Sequence, residues 1–183
     1  YTHEQPDPTS GSFEMRPFDW AKMENIQVYA SNRTIKALLS KYTFCFKPRH
    51  GYKPIMKANI VKNSFKIKNT KHTMKIIPFD VIHGMIKATG FLFEKVAYIS
   101  DCNKIPNSSI KNLYNLNYLV LDCLKLSKHP SHFNLSEALE LINLVRPKKT
   151  ILTNLHTDLD YNDLKKMLPK NVYPAFDGMV FNF

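Results

Sequence analysis

Apolar and polar positions change their period along the chain. Ile26–Ala30 alternates like a short strand. Ser31 or Asn32 can then cap a helix over 34–41, which places Ile35, Leu38 and Leu39 on one face. The runs 58–61, 64–67, 74–77 and 81–83 read as short strands. Gly84 and Gly90 punctuate a turn, and 91–93 with 96–100 reads as a hairpin pair. Residues 1–18, rich in Pro, Ser and Gly, read as a loop after a strand end, and 42–52 has no clear period. Trp20, the single tryptophan, is expected to pack.

The back of the chain alternates strand and helix. A short helix is predicted within 106–116, behind Ser108. Tyr118–Asp122 is an apolar strand ending in a carboxylate. Asn134 and Glu137 have capping-box spacing and open a helix through Val145, with Leu135, Ala138, Leu139 and Ile142 toward the core. A strand over 150–153 follows, then a helix over 161–168 capped by Asp160, with Asp163 in its first turn. A turn at Asp177-Gly178 precedes a last strand. Strands in front and β/α alternation behind imply a layered α/β or α+β fold, taken as one domain over 1–183.

Composition narrows the classes. No run of 18 apolar residues occurs, so neither a spanning helix nor a membrane partner is expected. No signal-peptide pattern opens the chain. The start, Tyr1-Thr2-His3, reads as the end of a strand without an initiator Met, so further N-terminal sequence is expected to precede it. Cys45, Cys102 and Cys123 lie far apart, without CxxC or zinc-finger spacing; they read as buried small hydrophobes in a reducing cytoplasm. The net charge of +11 is concentrated in 47–75. A basic surface suits nucleic acid or phosphorylated ligands. Abundant Lys, Asn and Ile account for it as composition, and no compact arginine cluster or stacking motif stands out in the sequence.

Several strand ends carry side chains able to bind a metal or move a proton: His3 with Asp7, His83, Asp101, His132 and His156. Within 149–161, Asn154 and His156 would share a face if the strand continued through them. Histidine plus carboxylate is the donor set of zinc, manganese or iron hydrolytic sites, and two ions bridged by a carboxylate can clamp a phosphate. Taken singly, each histidine is an ordinary surface or core residue.

Their order carries more. Tyr1-Thr2-His3, Asp7, Gly11 and Arg16-Pro17-Phe18 match a strand end with H-x-H-x-D-H, a glycine and an acidic-Leu-Arg signature. The stretch Pro78 to Gly84 matches a strand bearing a metal histidine, and Ala97-Tyr98-Ile99-Ser100-Asp101 a Y-x-x-D segment with a bridging aspartate. His129-Pro130-Ser131-His132-Phe133, Leu152-Thr153-Asn154-Leu155-His156 and Ala175-Phe176-Asp177-Gly178-Met179 follow in the same order. With these motifs the chain resembles the metallo-β-lactamase superfamily. It is most similar to the bacterial cyclic-phosphate phosphodiesterase branch, which acts on phosphoribosyl cyclic phosphate, and more distantly to tRNase Z.

The resemblance implies an α+β fold, a layered αββα sandwich, with the family's N-terminal strands lying before Tyr1. It implies one metal site from His3, His83 and Asp101 and another from Asp7, Asp101 and His156, with His132 as general acid. Zn²⁺ or Mn²⁺, one or two ions, would be the cofactor. A metal-bound hydroxide held at Asp101 would attack phosphorus in a phosphate ester, cyclic phosphate or nucleotide-like substrate. His156 stands two residues beyond the common ligand position, where this chain has Asn154. Three further departures bear on the ligands. Gln5 and Pro8 replace histidines of H-x-H-x-D-H, and Phe13-Glu14 replaces an acidic pair. Proline offers no side-chain ligand and glutamine is a poor one for zinc. The alternative function is therefore a metal-poor pseudoenzyme or binding module that keeps the fold and binds phosphorylated ligands or nucleic acid. A homodimer is the remaining partner expectation.

Overall fold

The computed structural model describes residues 1–22, 24–68 and 72–182. The chain divides into two compact units, Tyr1–Asn63 and Ser64–Phe183.

In the first unit, helix begins where the composition suggested a loop. Pro6 opens α1 (Pro6–Thr9), a 3-10 stretch covers Ser10–Met15, and α2 (Arg16–Lys22) follows. Proline suits a first helical position, because its φ is preset and its missing N–H has no intrahelical partner to lose. Thr9 Oγ1 donates to the Gln5 carbonyl at 2.7 Å and Ser12 Oγ to the Thr9 carbonyl at 2.6 Å. Trp20, expected to pack, is 66% exposed on α2. Tyr1-Thr2-His3 carries no strand, although the Tyr1 nitrogen donates to the Tyr29 carbonyl at 3.0 Å.

The strand β1 (Ile26–Ala30) forms as its alternation predicts. The helix α3 (Asn32–Lys41) starts behind Ser31, whose hydroxyl accepts the Thr34 N–H at 3.2 Å. It buries Thr34, Ile35 and Leu38. A one-turn helix α4 (Thr43–Phe46) lies in the segment without a period, and β2 (Met56–Ile60) pairs parallel to β1. Val28, Ala30, Ile35, Leu38, Cys45, Ile55 and Met56 form this unit's core.

Among the described residues the second unit forms a seven-stranded sheet whose spatial order follows the chain. The strands are β3 (Phe65–Lys68), β4 (Thr73–His83), β5 (Ile86–Phe93), β6 (Val96–Ile99), β7 (Tyr118–Asp122), β8 (Lys149–Thr153) and β9 (Val172–Pro174). From β3 to β6 the neighbours are antiparallel; from β6 to β9 they are parallel. The parallel crossovers carry α5 (Asn107–Ile110) with a 3-10 turn at Lys111–Leu113, then α6 (Leu135–Val145), then α7 (Tyr161–Met167). A large sheet with helices packed on it is the α+β class expected from the sequence.

The elements differ from expectation where residues interact across strands. The two runs at 74–77 and 81–83 are one strand, β4. β3 pairs only with Thr73–Ile76, so β4 is an edge at Pro78, where a missing N–H is tolerated. Gly90 is no turn residue: it lies within β5 opposite Phe79, and a β-carbon there would meet the Phe79 ring at 2.5 Å. The helix expected within 106–116 shrinks to α5 and its 3-10 turn. The last strand, β9, precedes the Asp177-Gly178 turn, and 179–182 is not a strand.

The helix α6 has the predicted ends. Glu137 N–H donates to Asn134 Oδ1 at 2.9 Å, and Asn134 N–H donates to Glu137 Oε2 at 3.1 Å. Its Ala138, Leu141, Ile142 and Val145 pack in a core with Leu119 and Leu121 of β7 and Leu152 of β8. No helix among the described residues is long and apolar enough to cross a membrane.

Because β5 runs antiparallel to both β4 and β6, the C-terminal ends of β4, β6, β7 and β8 share one edge of the sheet. In open α/β sheets that edge is where ligands bind.

Candidate metal centre and proton-transfer pair

His83 is the last residue of β4 and is 3% exposed. Its Nδ1 lies 2.8 Å from the Ser131 carbonyl. A carbonyl only accepts, so Nδ1 carries the proton and Nε2 keeps its lone pair. A histidine whose other nitrogen is held by a carbonyl is how proteins orient metal ligands. Asp101 lies just past β6 and is half-buried, with the Ser100 hydroxyl donating to its Oδ2. A ring nitrogen of His83 and a carboxylate oxygen of Asp101 lie within 4.8 Å of each other.

The loop that supplies Ser131 is fixed by Asn103. Its Oδ1 accepts the Gly84 N–H at 2.9 Å, and its Nδ2 donates to the Pro130 carbonyl at 3.1 Å. Phe133 N–H then donates to the Cys102 carbonyl at 2.8 Å. The segment 129–133 is thereby tied to the end of β4 and to the loop after β6.

The centre of this edge is Asp122, the last residue of β7, whose side chain is fully buried. Its Oδ2 accepts His132 Nδ1 at 2.8 Å and the Cys102 N–H at 3.0 Å; its Oδ1 accepts Asn154 Nδ2 at 3.1 Å. Burial pushes the Asp122 carboxyl above the usual range, and the bonds from His132, Cys102 and Asn154 pull against it. The acceptor at Nδ1 fixes the tautomer of the neutral His132 ring, with the proton on Nδ1. The His132 ring sits edge-on to His83, with centroids 4.6 Å apart, and 5.1 Å from His129. Burial, with His132 as a smaller cause, lowers the His129 pKa, which keeps that ring neutral at neutral pH.

β8 ends at Thr153, and Asn154 turns into the left-handed region at φ +61°, so Asn154 and His156 do not share a strand face. Asparagine tolerates that conformation better than most residues. Asn154, where the family pattern has a histidine, instead supports Asp122. The His156 side chain is half exposed, with Nδ1 3.3 Å from Asp158 Oδ1, and its N–H donates to the Leu124 carbonyl at 2.9 Å.

His3 and Asp7 belong to the first unit. His3 is buried, with Nδ1 2.9 Å from Thr2 Oγ1 and Nε2 3.1 Å from Gln5 Oε1. Gln5, one of the departures from the family motif, thus contacts a candidate ligand directly. Asp7 is exposed on α1.

A sheet edge that brings a carbonyl-locked histidine and a carboxylate beside a buried Asp–His pair has the make-up of a metal-binding hydrolase site. A family model described as "Beta-lactamase superfamily domain" matches residues 1–154, and the chain belongs to the metallo-β-lactamase superfamily, a family of metal-binding hydrolases that includes phosphodiesterases. The chain is similar to a crystal structure described as a new diphosphatase from the PhnP family, with 27% identity and a TM-score of 0.86, covering 98% of this chain and 67% of that one. It shares the fold of human tRNase Z, short form, with 16% identity and a TM-score of 0.68, over 99% of this chain and 76% of that one. It is also 25% identical to an octanoyltransferase of Porphyromonas gingivalis (strain ATCC BAA-308 / W83), over 97% of this chain. The chain spans only 36% of that curated relative.

Proposed function

We propose that this chain is the site-bearing part of a metal-dependent phosphodiesterase that cleaves a phosphate ester or cyclic phosphate. The observation that carries the reading is the buried Asp122 bonded to His132 next to His83. The likeness to a PhnP-family diphosphatase supports the substrate class.

The donor set suits a divalent cation. A neutral imidazole with its lone pair on Nε2 and a carboxylate are ligands for Zn²⁺ or Mn²⁺. His83 and Asp101 are proposed to hold it. His3, Asp7 and His156 enter on the family pattern alone. When bound, the cation supplies Lewis-acid neutralisation of phosphate charge and a more acidic water. Asp101 orients the attacking water. His132, as an imidazolium, gives its Nε2 proton to the leaving oxygen, and Asp122 stabilises that charged form through Nδ1–H. The proton lost by the attacking water as it bonds phosphorus passes to solvent, the bond from phosphorus to the leaving oxygen breaks, and the neutral His132 takes a proton back from solvent.

Gln5 favours a second reading, a metal-poor module that keeps the fold, since its amide meets His3 where the family has a histidine. Fewer than two bound ions per chain is expected in either case. Hydrolysis of a bis-aryl phosphodiester by protein supplied with Zn²⁺ or Mn²⁺ separates the two readings. The phosphodiesterase reading expects metal-dependent turnover that Asp101→Ala abolishes; a rate unchanged by Asp101→Ala rejects it.

A further inference from the structure

A cavity in the first unit is lined by none of His83, Asp101 and His132. Arg16, at the start of α2, has its guanidinium centre 5.4 Å from the Phe13 ring and 5.7 Å from the Tyr52 ring. Phe44 meets Phe13 edge-on, with centroids 5.6 Å apart. Arg49 and Tyr52 close a tight turn by reciprocal backbone bonds of 3.1 and 2.9 Å. Its central residues, His50 at φ +48° and Gly51 at φ +82°, both take the left-handed conformation that a type I′ turn needs. These six side chains, Phe13, Arg16, Phe44, Arg49, His50 and Tyr52, line a cavity of about 310 Å³.

Two properties separate this cluster from ordinary core. Its rings are wet: Phe13 is 47% and Tyr52 65% exposed. Its arginines have no counter-charge: among the described residues, no carboxylate forms an ion pair with Arg16 or Arg49. The surrounding sequence is one-sided as well, with six Lys or Arg and no Asp or Glu in 41–63. A hydrocarbon ligand would leave the arginines unused, and a bare phosphate would leave three aromatic rings unused. A flat π-face joined to an anion uses both, since bases stack on aromatic rings and guanidinium planes while cations take the phosphate. A cavity of this size is at the low end for small-ligand sites and suits one base with its sugar.

We infer that this cavity binds a single nucleotide unit, its base stacked among Tyr52, Phe13 and Arg16 and its phosphate at Arg49. The sequence hid the cluster because Phe13 and Arg16 are some thirty positions from Phe44, Arg49 and Tyr52.

Fluorescence anisotropy of a 5′-labelled dA8 oligonucleotide on the intact chain tests this, with AMP, ribose 5-phosphate and an abasic oligonucleotide as competitors. Tyr52→Ala is expected to weaken binding about tenfold, Tyr52→Phe to leave it near wild type, and Arg49→Ala to weaken it and flatten its salt dependence. AMP competition would identify a free nucleotide as an adequate occupant, whereas oligonucleotide binding that AMP does not displace would identify a nucleotide within a strand; both uphold base stacking. Equal competition by the abasic oligonucleotide or ribose 5-phosphate, or wild-type affinity in Tyr52→Ala, would overturn it. Metal content and phosphodiester hydrolysis play no part in these readouts, so this inference and the proposed activity can fail separately.

Discussion

Asp122 Oδ2 lies 2.8 Å from His132 Nδ1, and the carboxylate is fully buried while the imidazole keeps 15% of its side-chain surface. The buried carboxylate therefore orients the more accessible imidazole. Asp122→Asn would place one acceptor and one donor where His132, the Cys102 amide and Asn154 all donate. The expected result is a loss of about 100-fold in phosphodiester kcat with unchanged metal content. The His132 ring nitrogens, followed by NMR, should show protonation confined to Nδ1 in the neutral wild-type ring and divided between the nitrogens in the variant. A variant that keeps the wild-type tautomer would show that Asp122 does not orient His132.

The three cysteines are fully buried and their thiols are held protonated. Burial raises all three; for Cys123, burial followed by Asp122 pushes the pKa up to about 12. A disulfide reagent at pH 8 should label none of them rapidly in native protein and all three in denaturant. A folded pKa above the unfolded value of 9.0 means this thiol's stability contribution is complete below about pH 9 and fades as pH rises toward 12. Stability should fall by about 1.4 kcal/mol per pH unit across that window from Cys123 alone. Cys123→Ala should flatten the slope in denaturant titrations.

Gly90 lies under the Phe79 ring, its register partner across β4 and β5. Gly90→Ala should cost about 1–3 kcal/mol through overpacking, read as a lower Tm. Combining it with Phe79→Leu should cost less than the sum of the two single changes, because the clash is removed with the ring.

Local chemistry was legible in the sequence, and chemistry assembled from afar was not. The capping box of Asn134 and Glu137 placed α6 correctly because four consecutive residues hold the whole signal. Asp160 likewise caps α7, accepting the Asn162 and Asp163 N–H groups. The loop expected over 1–18 from its Pro, Ser and Gly is helical from Pro6 onward, because Pro6 occupies a first helical turn. His83, Asp101 and His132 were found through motif order. Asp122 was visible only as a carboxylate at a strand end. Its donors lie 10, 20 and 32 positions away, so its role depends on the strand register.

His83 and Asp101 are the residues proposed to hold the catalytic cation. Metal analysis of protein purified without chelator decides this, comparing wild type with His83→Ala and Asp101→Ala. Fewer than two equivalents of Zn²⁺ or Mn²⁺ are expected in the wild type, with more than half of that content lost in each folded variant. Wild-type metal content in both variants, or two tightly bound ions in the wild type that neither substitution removes, would contradict it.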